Sequence, residues 1–171
     1  MRRRSPARWQ TWTFFTATML ALAVPSLLIV QGERMLRYGE PMLLPLDVSG
    51  DKMIIQGRYV RLSYPLLTGF AAGEPAPPRS GLLAVKLDSN RVGTEVRYFG
   101  EGDELSPQER ILRYRTCVDH LCVGAEAFFI EQDQADYYRQ ARYAELRVGS
   151  RGQVLLAGVR DSARNPLPGP P

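Results

Sequence analysis

The residues best suited to chemistry lie in one run of six, Cys117-Val118-Asp119-His120-Leu121-Cys122. This run holds both cysteines and the one histidine of the chain. If Asp119 and His120 form a two-residue hairpin turn, the two cysteines lie directly opposite each other. Their Cα atoms are then ~4.5–5.5 Å apart, which is within the range of a disulfide. The run therefore predicts a disulfide between Cys117 and Cys122.

Two other sites could use the same residues. A metal ion could be bound by Cys117, His120 and Cys122, although the run offers no fourth ligand and the cysteine spacing is longer than in the usual zinc motifs. A catalytic thiol, as in cell-wall transpeptidases, would need His120 to turn its ring toward a cysteine thiolate. The metal site and the catalytic thiol remain alternatives to the disulfide. The disulfide would require an oxidising compartment.

The compartment is indicated by an apolar segment near the N-terminus. Trp12 to Val30 is a run of nineteen residues without a charge. As a helix it would be ~28 Å long, close to the ~30 Å of bilayer hydrocarbon. We therefore predict a single transmembrane helix at residues 9–30, after a basic cytoplasmic segment at 1–8. An extracytoplasmic domain at 31–160 and a disordered, proline-rich tail at 161–171 are expected to follow.

The charges give this helix a direction. Four arginines precede it, so the positive-inside rule predicts a cytoplasmic N-terminus. The chain has 22 basic and 18 acidic residues, and removing those four leaves 18 of each beyond residue 30. Nucleic-acid binding would need a basic face on the folded domain, so an electroneutral domain predicts no nucleic-acid partner. The predicted partner of the apolar segment is the membrane bilayer.

A cleaved signal peptide is the alternative to an anchor. Ala21-Leu22-Ala23 has the small-residue form of a cleavage site. Cleavage there would leave the apolar residues 27–30 exposed, with Pro25 close after the cut bond. We therefore favour an uncleaved signal-anchor.

Beyond the helix, short β-forming runs alternate with turn residues. Alternation within Met53–Tyr64 predicts one strand, with a bulge or a close backbone approach at Gly57. Residues 68–80 are predicted to form a loop, and one short helix is expected at 134–142, capped by Asp133. Further strands are predicted at 82–87, 92–99, 111–118, 121–130, 143–148 and 154–160. The fold class expected is a mainly antiparallel β (α+β) domain with one short helix, preceded by a single N-terminal transmembrane helix.

Residues 57–64 read Gly-Arg-Tyr-Val-Arg-Leu-Ser-Tyr. This resembles the octapeptide for which the GDYXXLXY family of bacterial envelope proteins is named. Gly57, Tyr59, Leu62 and Tyr64 match it, and Arg58 stands where the motif has Asp. In a strand, Leu62 and Tyr64 share one face and are expected to pack inward. Tyr59 lies on the opposite face and could make a surface contact.

Other blocks extend the resemblance over about residues 31–160. Asp47 and Asp51 are similar to the Pro/Asp-rich segment that precedes the motif in the family, and residues 143–159 look like its closing hairpin. The stretch 124–131, with Glu126, Phe129 and Glu131, is similar to the family's Gly-x-Glu-x-Phe/Tyr-Phe-Val-x-Glu block. The resemblance implies a bacterial inner-membrane protein of no established activity, often found beside multi-pass membrane proteins.

We therefore expect a membrane-anchored envelope protein that is a non-catalytic partner of another membrane protein, such as a multi-pass one. The domain is expected in the periplasm, and no cofactor is predicted. One alternative is a hydrolase of an envelope substrate, for which Asp47, Asp51, Glu126 and Glu131 are the candidate carboxylates. Another is a β domain that binds a small ligand in an apolar pocket.

Overall fold

The computed structural model describes residues 8–47, 55–56, 59–71, 78–117, 120–129 and 138–167. Helix α1, Arg8–Tyr38, is 31 residues long, which corresponds to ~47 Å. Within the described part of the chain, its segment Trp12–Tyr38 is the one helix long and apolar enough to cross a membrane. The predicted span at 9–30 thus lies within a longer helix, which continues for two further turns.

The large apolar side chains of α1 are not covered by the rest of the protein. From Trp9 to Val30 each of them is at least 44% exposed. The hydroxyls of Thr16, Thr18 and Ser26 each donate a hydrogen bond to the carbonyl oxygen four residues earlier. The helix therefore satisfies its own polar groups and presents apolar side chains outward, as a helix surrounded by lipid requires.

The rest of the described chain is mainly antiparallel β structure, in three sheets. The first sheet has the order β1-β9-β10, made of Glu40–Pro45, Tyr143–Val148 and Val154–Arg160. The second has the order β2-β3-β8, made of Ile55–Gln56, Tyr59–Arg61 and Ala127–Phe129. The third has the order β5-β4-β6-β7, made of Gly93–Phe99, Ser80–Leu87, Glu109–Thr116 and Leu121–Cys122. The predicted fold class, a β-rich domain after one N-terminal helix, is confirmed.

One hydrophobic core joins these sheets. Alternate residues of the strands point inward, as the period of a pleated strand dictates. The core includes the following buried side chains from four strands: Met42 and Leu44 of β1, Leu83 and Val85 of β4, Leu112 and Tyr114 of β6, and Ala144 and Leu146 of β9. Leu62, Tyr64 and Tyr138 add to it from segments outside those strands. Residues distant in sequence therefore share one apolar interior.

Single backbone hydrogen bonds connect the sheets at their edges. The amide of Arg113 in β6 donates to the carbonyl oxygen of Gly152 at 2.7 Å, so the tip of the β9–β10 hairpin covers an edge of the third sheet. The amide of Leu43 in β1 donates to the carbonyl oxygen of Arg91 at 2.8 Å. Covered edges matter because an open strand edge offers a template for pairing with other chains.

Strands β4 and β5 of the third sheet and the closing hairpin match their predictions closely. The turn between β4 and β5 is held by Asp88, whose Oδ1 accepts the amides of Asn90 and Val92, both at 2.8 Å. Residues 149–152 connect β9 and β10 as expected from their glycines. The strands predicted at 82–87, 92–99, 143–148 and 154–160 are confirmed within a few residues.

Helix α2, Pro65–Ala71, corrects the predicted loop at 68–80. Proline is favourable at the first helical position because its fixed φ suits the helix and its missing N–H is not needed there. The carbonyl oxygen of Tyr64 accepts the amides of Leu67 and Thr68, both at 3.0 Å. Burial of Leu67 against the core favours this helix over a loop, despite Gly69.

Two predicted strands are each divided. The run 53–64 forms β2 and β3, which pair antiparallel through Ile55 with Val60 and Gln56 with Tyr59. These residues therefore form two antiparallel strands and not one continuous strand, while Gly57, where a bulge or a close backbone approach was predicted, lies outside the described residues. The run 121–130 forms β7 and β8 in different sheets, with Gly124 at a φ of 88° between them.

The other differences lie near the C-terminus. The helix predicted at 134–142 falls largely outside the described residues; within its described part, residues 138–142, only Tyr138 is helical. The tail predicted to be disordered from residue 161 is folded as far as Leu167, because Pro166 bridges to Arg160 and Leu167 packs against the core. Asp161 stabilises this return by accepting the amide of Asn165 at 2.8 Å.

Candidate functional site

The two strongest blocks of the sequence resemblance lie side by side. Strand β3, Tyr59–Arg61, pairs antiparallel with β8, Ala127–Phe129. The pairing continues one residue further, because the amide of Leu62 donates to the carbonyl oxygen of Glu126 at 2.6 Å. We call residues 59–64 and 123–129 together the motif junction. Two segments distant in sequence thus form one structural unit, in which Tyr64 contacts Ala125 across a separation of 61 residues.

Tyr64 is the residue that binds this junction together. Its side chain is buried, and its hydroxyl donates a hydrogen bond to the carbonyl oxygen of Ala125. Burial, followed by the negative charge of Glu126, raises the pKa of the Tyr64 phenol well above its usual value. The phenol therefore stays neutral. Leu62 is buried beside it, so the predicted inward packing of both side chains is confirmed.

Glu126 caps a turn within the same junction. Its carboxylate accepts the amide of Val123, and its Oε1 accepts the amide of Gly124 at 2.9 Å. The positive φ of Gly124 is one that residues with a side chain rarely adopt. Two backbone amides of one tight turn thus converge on this carboxylate and hold it in place. A carboxylate that already accepts these hydrogen bonds suits a structural role better than the role of a general base.

Of the remaining motif-associated residues, the structure describes Asp47, Tyr59 and Phe129. The amide of Asp47 donates to the carbonyl oxygen of Ser63 at 3.0 Å, so the segment before the motif runs alongside the motif strand. Tyr59 and Phe129 are direct partners in the β3–β8 ladder. The predicted positions Asp51, Gly57 and Glu131 lie outside the described residues. The candidate carboxylates are therefore located only at Asp47 and Glu126.

Cys117 and Cys122 form a disulfide, with their Cα atoms 5.9 Å apart. The register differs from the prediction, because Cys122 lies opposite Arg115, while the amide of Cys117 donates to the carbonyl oxygen of His120 at 2.9 Å. The pairing is thus shifted by one residue from the predicted register, and the cysteines lie diagonally. The sequence did not distinguish the two registers, since Asp119 suits a turn in either one.

His120 lies against this disulfide. Its Nε2 is 3.4 Å from the Sγ of Cys122. The side-chain donor atoms of Cys117, His120 and Cys122 lie within 4.8 Å of one another, which makes them a candidate metal-binding group. In the disulfide form both sulfurs are bonded to each other, and thiolates are the form that binds metal. The arrangement observed is therefore that of a disulfide with a neighbouring imidazole.

Ion pairs on the outer faces of the sheets were not predicted. Glu145 contacts the guanidinium of Arg160 at 2.8 Å and that of Arg147 at 3.4 Å. Arg97 contacts Glu109 at 2.8 Å, and Glu109 is buried. The pairs within one strand could have been found from opposite charges two residues apart, which share a face. Ion pairs between different strands could not be predicted without knowing the register in which the strands pair.

The junction of α1 with the first sheet is also tight. The amide of Gly39 donates to the carbonyl oxygen of Met35 at 2.9 Å and ends the helix. A Cβ added at Gly39 would overlap that oxygen and lie 3.0 Å from the Cβ of Arg147. The Nε of Arg147 is buried and has no hydrogen-bond partner within the described residues. Glycine is therefore required where the helix enters the domain.

Comparison with protein families gives one assignment for most of the chain. The model of a family described as "GDYXXLXY protein" matches residues 21–159. This range includes the end of the apolar segment, the motif junction, the disulfide and the closing hairpin. Comparisons with curated proteins and with solved structures give no significant match.

Proposed function

The chain belongs to the GDYXXLXY family, and we propose that it is a non-catalytic, single-pass protein of the bacterial inner membrane. Its β-rich domain would be held in the periplasm and bind another membrane protein there. The observation that carries this proposal is α1, whose apolar side chains are exposed over its whole predicted span. Such a surface is stable in lipid and costly in water.

Charge and disulfide chemistry support the proposed orientation. The four arginines that precede the span favour a cytoplasmic N-terminus by the positive-inside rule. The disulfide between Cys117 and Cys122 is compatible with an oxidising compartment for the domain. The arginines lie in the first eight residues and the disulfide lies in the folded domain, so each supports the orientation independently of the other.

The motif junction supports a binding role over a catalytic one. Two of its polar side chains serve the fold, because the Tyr64 hydroxyl donates to a backbone carbonyl and the Glu126 carboxylate accepts backbone amides. Arg61, on the motif strand, is exposed and points away from the buried Leu62 and Tyr64. This strand therefore offers one face to the core and the other to a partner.

The proposal is tested by purification from membranes solubilised in a mild detergent. A C-terminally tagged chain should recover a membrane protein in a fixed molar ratio, measured by mass spectrometry and by native mass. The same recovery is expected when residues 12–30 are replaced by an unrelated apolar helix of equal length, because the domain makes the contact. Consistent recovery of a monomer alone would refute the proposal.

A pair of arginine variants locates the contact. Arg61→Glu reverses the charge on the motif strand and should reduce the amount of recovered partner. Arg113→Glu is the matched control, because Arg113 is also an exposed strand arginine but belongs to the third sheet. Equal loss with both variants, or with neither, would show that the motif strand is not the contact surface.

A further inference from the structure

The two cysteines of the disulfide differ in their exposure to solvent. Cys117 is partly exposed, whereas Cys122 is only 7% exposed. A thiolate that cleaves a disulfide must approach one sulfur along the bond, and the other sulfur leaves with the electron pair. A nucleophile from solvent therefore reaches Cys117, and Cys122 becomes the leaving group.

The buried sulfur is the one that has a charge-stabilising neighbour. The Nε2 of His120 lies 3.4 Å from the Sγ of Cys122, close enough for an N–H group to donate to a thiolate there. Arg115 is the direct ladder partner of Cys122, so its cationic side chain lies on the same face of the sheet. A buried thiolate is otherwise costly, so these neighbours favour cleavage that leaves the charge on Cys122.

The bridge is dispensable for the fold around it. It closes a loop with a sequence separation of only 5 residues, and constraining so short a loop adds modest stability. The hairpin retains its backbone bonds without the bridge, such as that from the Cys117 amide to the His120 carbonyl oxygen. Leu121 remains packed in the core. Opening the disulfide therefore need not unfold the domain.

We propose that Cys117–Cys122 is a redox-active disulfide that exchanges with low-molecular-weight thiols, with His120 as the group that stabilises the leaving thiolate. The thiolate of the small molecule attacks the Sγ of Cys117. A new disulfide forms between them, the Cys117–Cys122 bond breaks, and its electron pair stays on the Sγ of Cys122, which accepts a hydrogen bond from the His120 Nε2–H. Charge is conserved, since one thiolate enters and one leaves. A second thiolate of the same compound then releases Cys117.

The test uses the purified full chain, unreduced and in detergent, with reduced glutathione as the probe. The reaction is stopped by acid and free thiols are then alkylated, so that fragment mass spectra locate each adduct. Glutathione should be found on Cys117 and the alkyl group on Cys122. Glutathione found on Cys122, or a bridge that remains intact in excess glutathione, would overturn the proposal.

The role of His120 is tested with His120→Ala, which should lower the rate of exchange by about tenfold, because a hydrogen bond to a charged group is lost. A melting temperature equal to that of the wild type would show that the hairpin is intact. In Cys122→Ser, where Cys117 is a free thiol, the added His120→Ala change should leave the alkylation rate of Cys117 unaltered. Unchanged exchange in His120→Ala, or an equal loss in both backgrounds, would contradict a role through Cys122.

Discussion

At the level of single residues, Tyr64 connects three parts of the chain. Its hydroxyl binds the carbonyl oxygen of Ala125, its backbone oxygen begins helix α2, and its ring fills the core. The last position of the octapeptide thus has a structural explanation. The sequence predicted that this side chain is buried and needs a polar partner, from the alternation with Leu62. It could not predict which carbonyl, because that partner is 61 residues away.

Tyr64→Phe should destabilise the protein by about 1–3 kcal/mol, because the buried carbonyl oxygen of Ala125 loses its hydrogen bond while the packing is kept. Thermal melts of the full chain in detergent, followed by circular dichroism, would measure this. Tyr98→Phe is the matched control, since the Tyr98 side chain is half-buried and packs against Phe70 and Tyr114. An equal effect of both changes would contradict a special role for Tyr64.

The ion pair between Arg97 and Glu109 makes the stability of the folded protein depend on pH in the acidic range. The side-chain hydrogen bond from Arg97, then the Ser106 amide, lowers the pKa of Glu109 from 4.5 to about 2. A lowered pKa contributes stability above the unfolded value, and this contribution is lost as pH falls from about 4.5 toward about 2. The melting temperature of Glu109→Gln should therefore lie below that of wild type at neutral pH, and the gap should close over this acidic range.

The control for that measurement is Glu95→Gln. Glu95 pairs with Lys86 at 3.1 Å, but both side chains are exposed. Exposed pairs contribute little to stability, so this change should leave the melting temperature nearly unaltered at every pH. A gap between Glu109→Gln and wild type that is constant over the acidic range would show that the Glu109 charge is not involved.

At the level of elements, local signals predicted what local contacts determine. The hairpin of β9 and β10 was predicted because alternating strands flank Gly149 and Gly152, and the pairing is between neighbours in sequence. The pairing of β3 with β8 could not be predicted, because no local pattern specifies a strand partner so distant in sequence. Helix α2 was missed because its glycine suggested a loop, while the burial of Leu67 that favours the helix appears only in the folded core.

The entry of α1 into the domain gives the prediction at this scale. Gly39→Ala should destabilise the domain by about 1–3 kcal/mol, because the added methyl group overlaps the Met35 carbonyl oxygen and approaches Arg147. Gly32→Ala is the matched control within the same helix, since an added Cβ there meets nothing within 4 Å. Chemical denaturation in detergent compares the two. A Gly39→Ala variant as stable as Gly32→Ala would show that the junction is not tight.

At the level of the whole molecule, one helix and one β-rich domain form a chain with a clear division of charge. The basic excess precedes the span, and the domain beyond it is electroneutral. This division was readable from the sequence, because it depends only on composition and order. The candidate site was predicted only in part from the sequence. The cysteine pair was identified, but its register and its contact with His120 required the structure.

The central claim is that α1 stays attached to the domain and holds it outside the cytoplasm. Immunoblotting of a chain tagged at both ends, before and after protease treatment of intact spheroplasts, tests it most directly. One membrane-bound species should carry both tags, and protease should remove only the C-terminal tag. A mature species that has lost the N-terminal tag, or a C-terminal tag protected until the membrane is broken, would contradict the account.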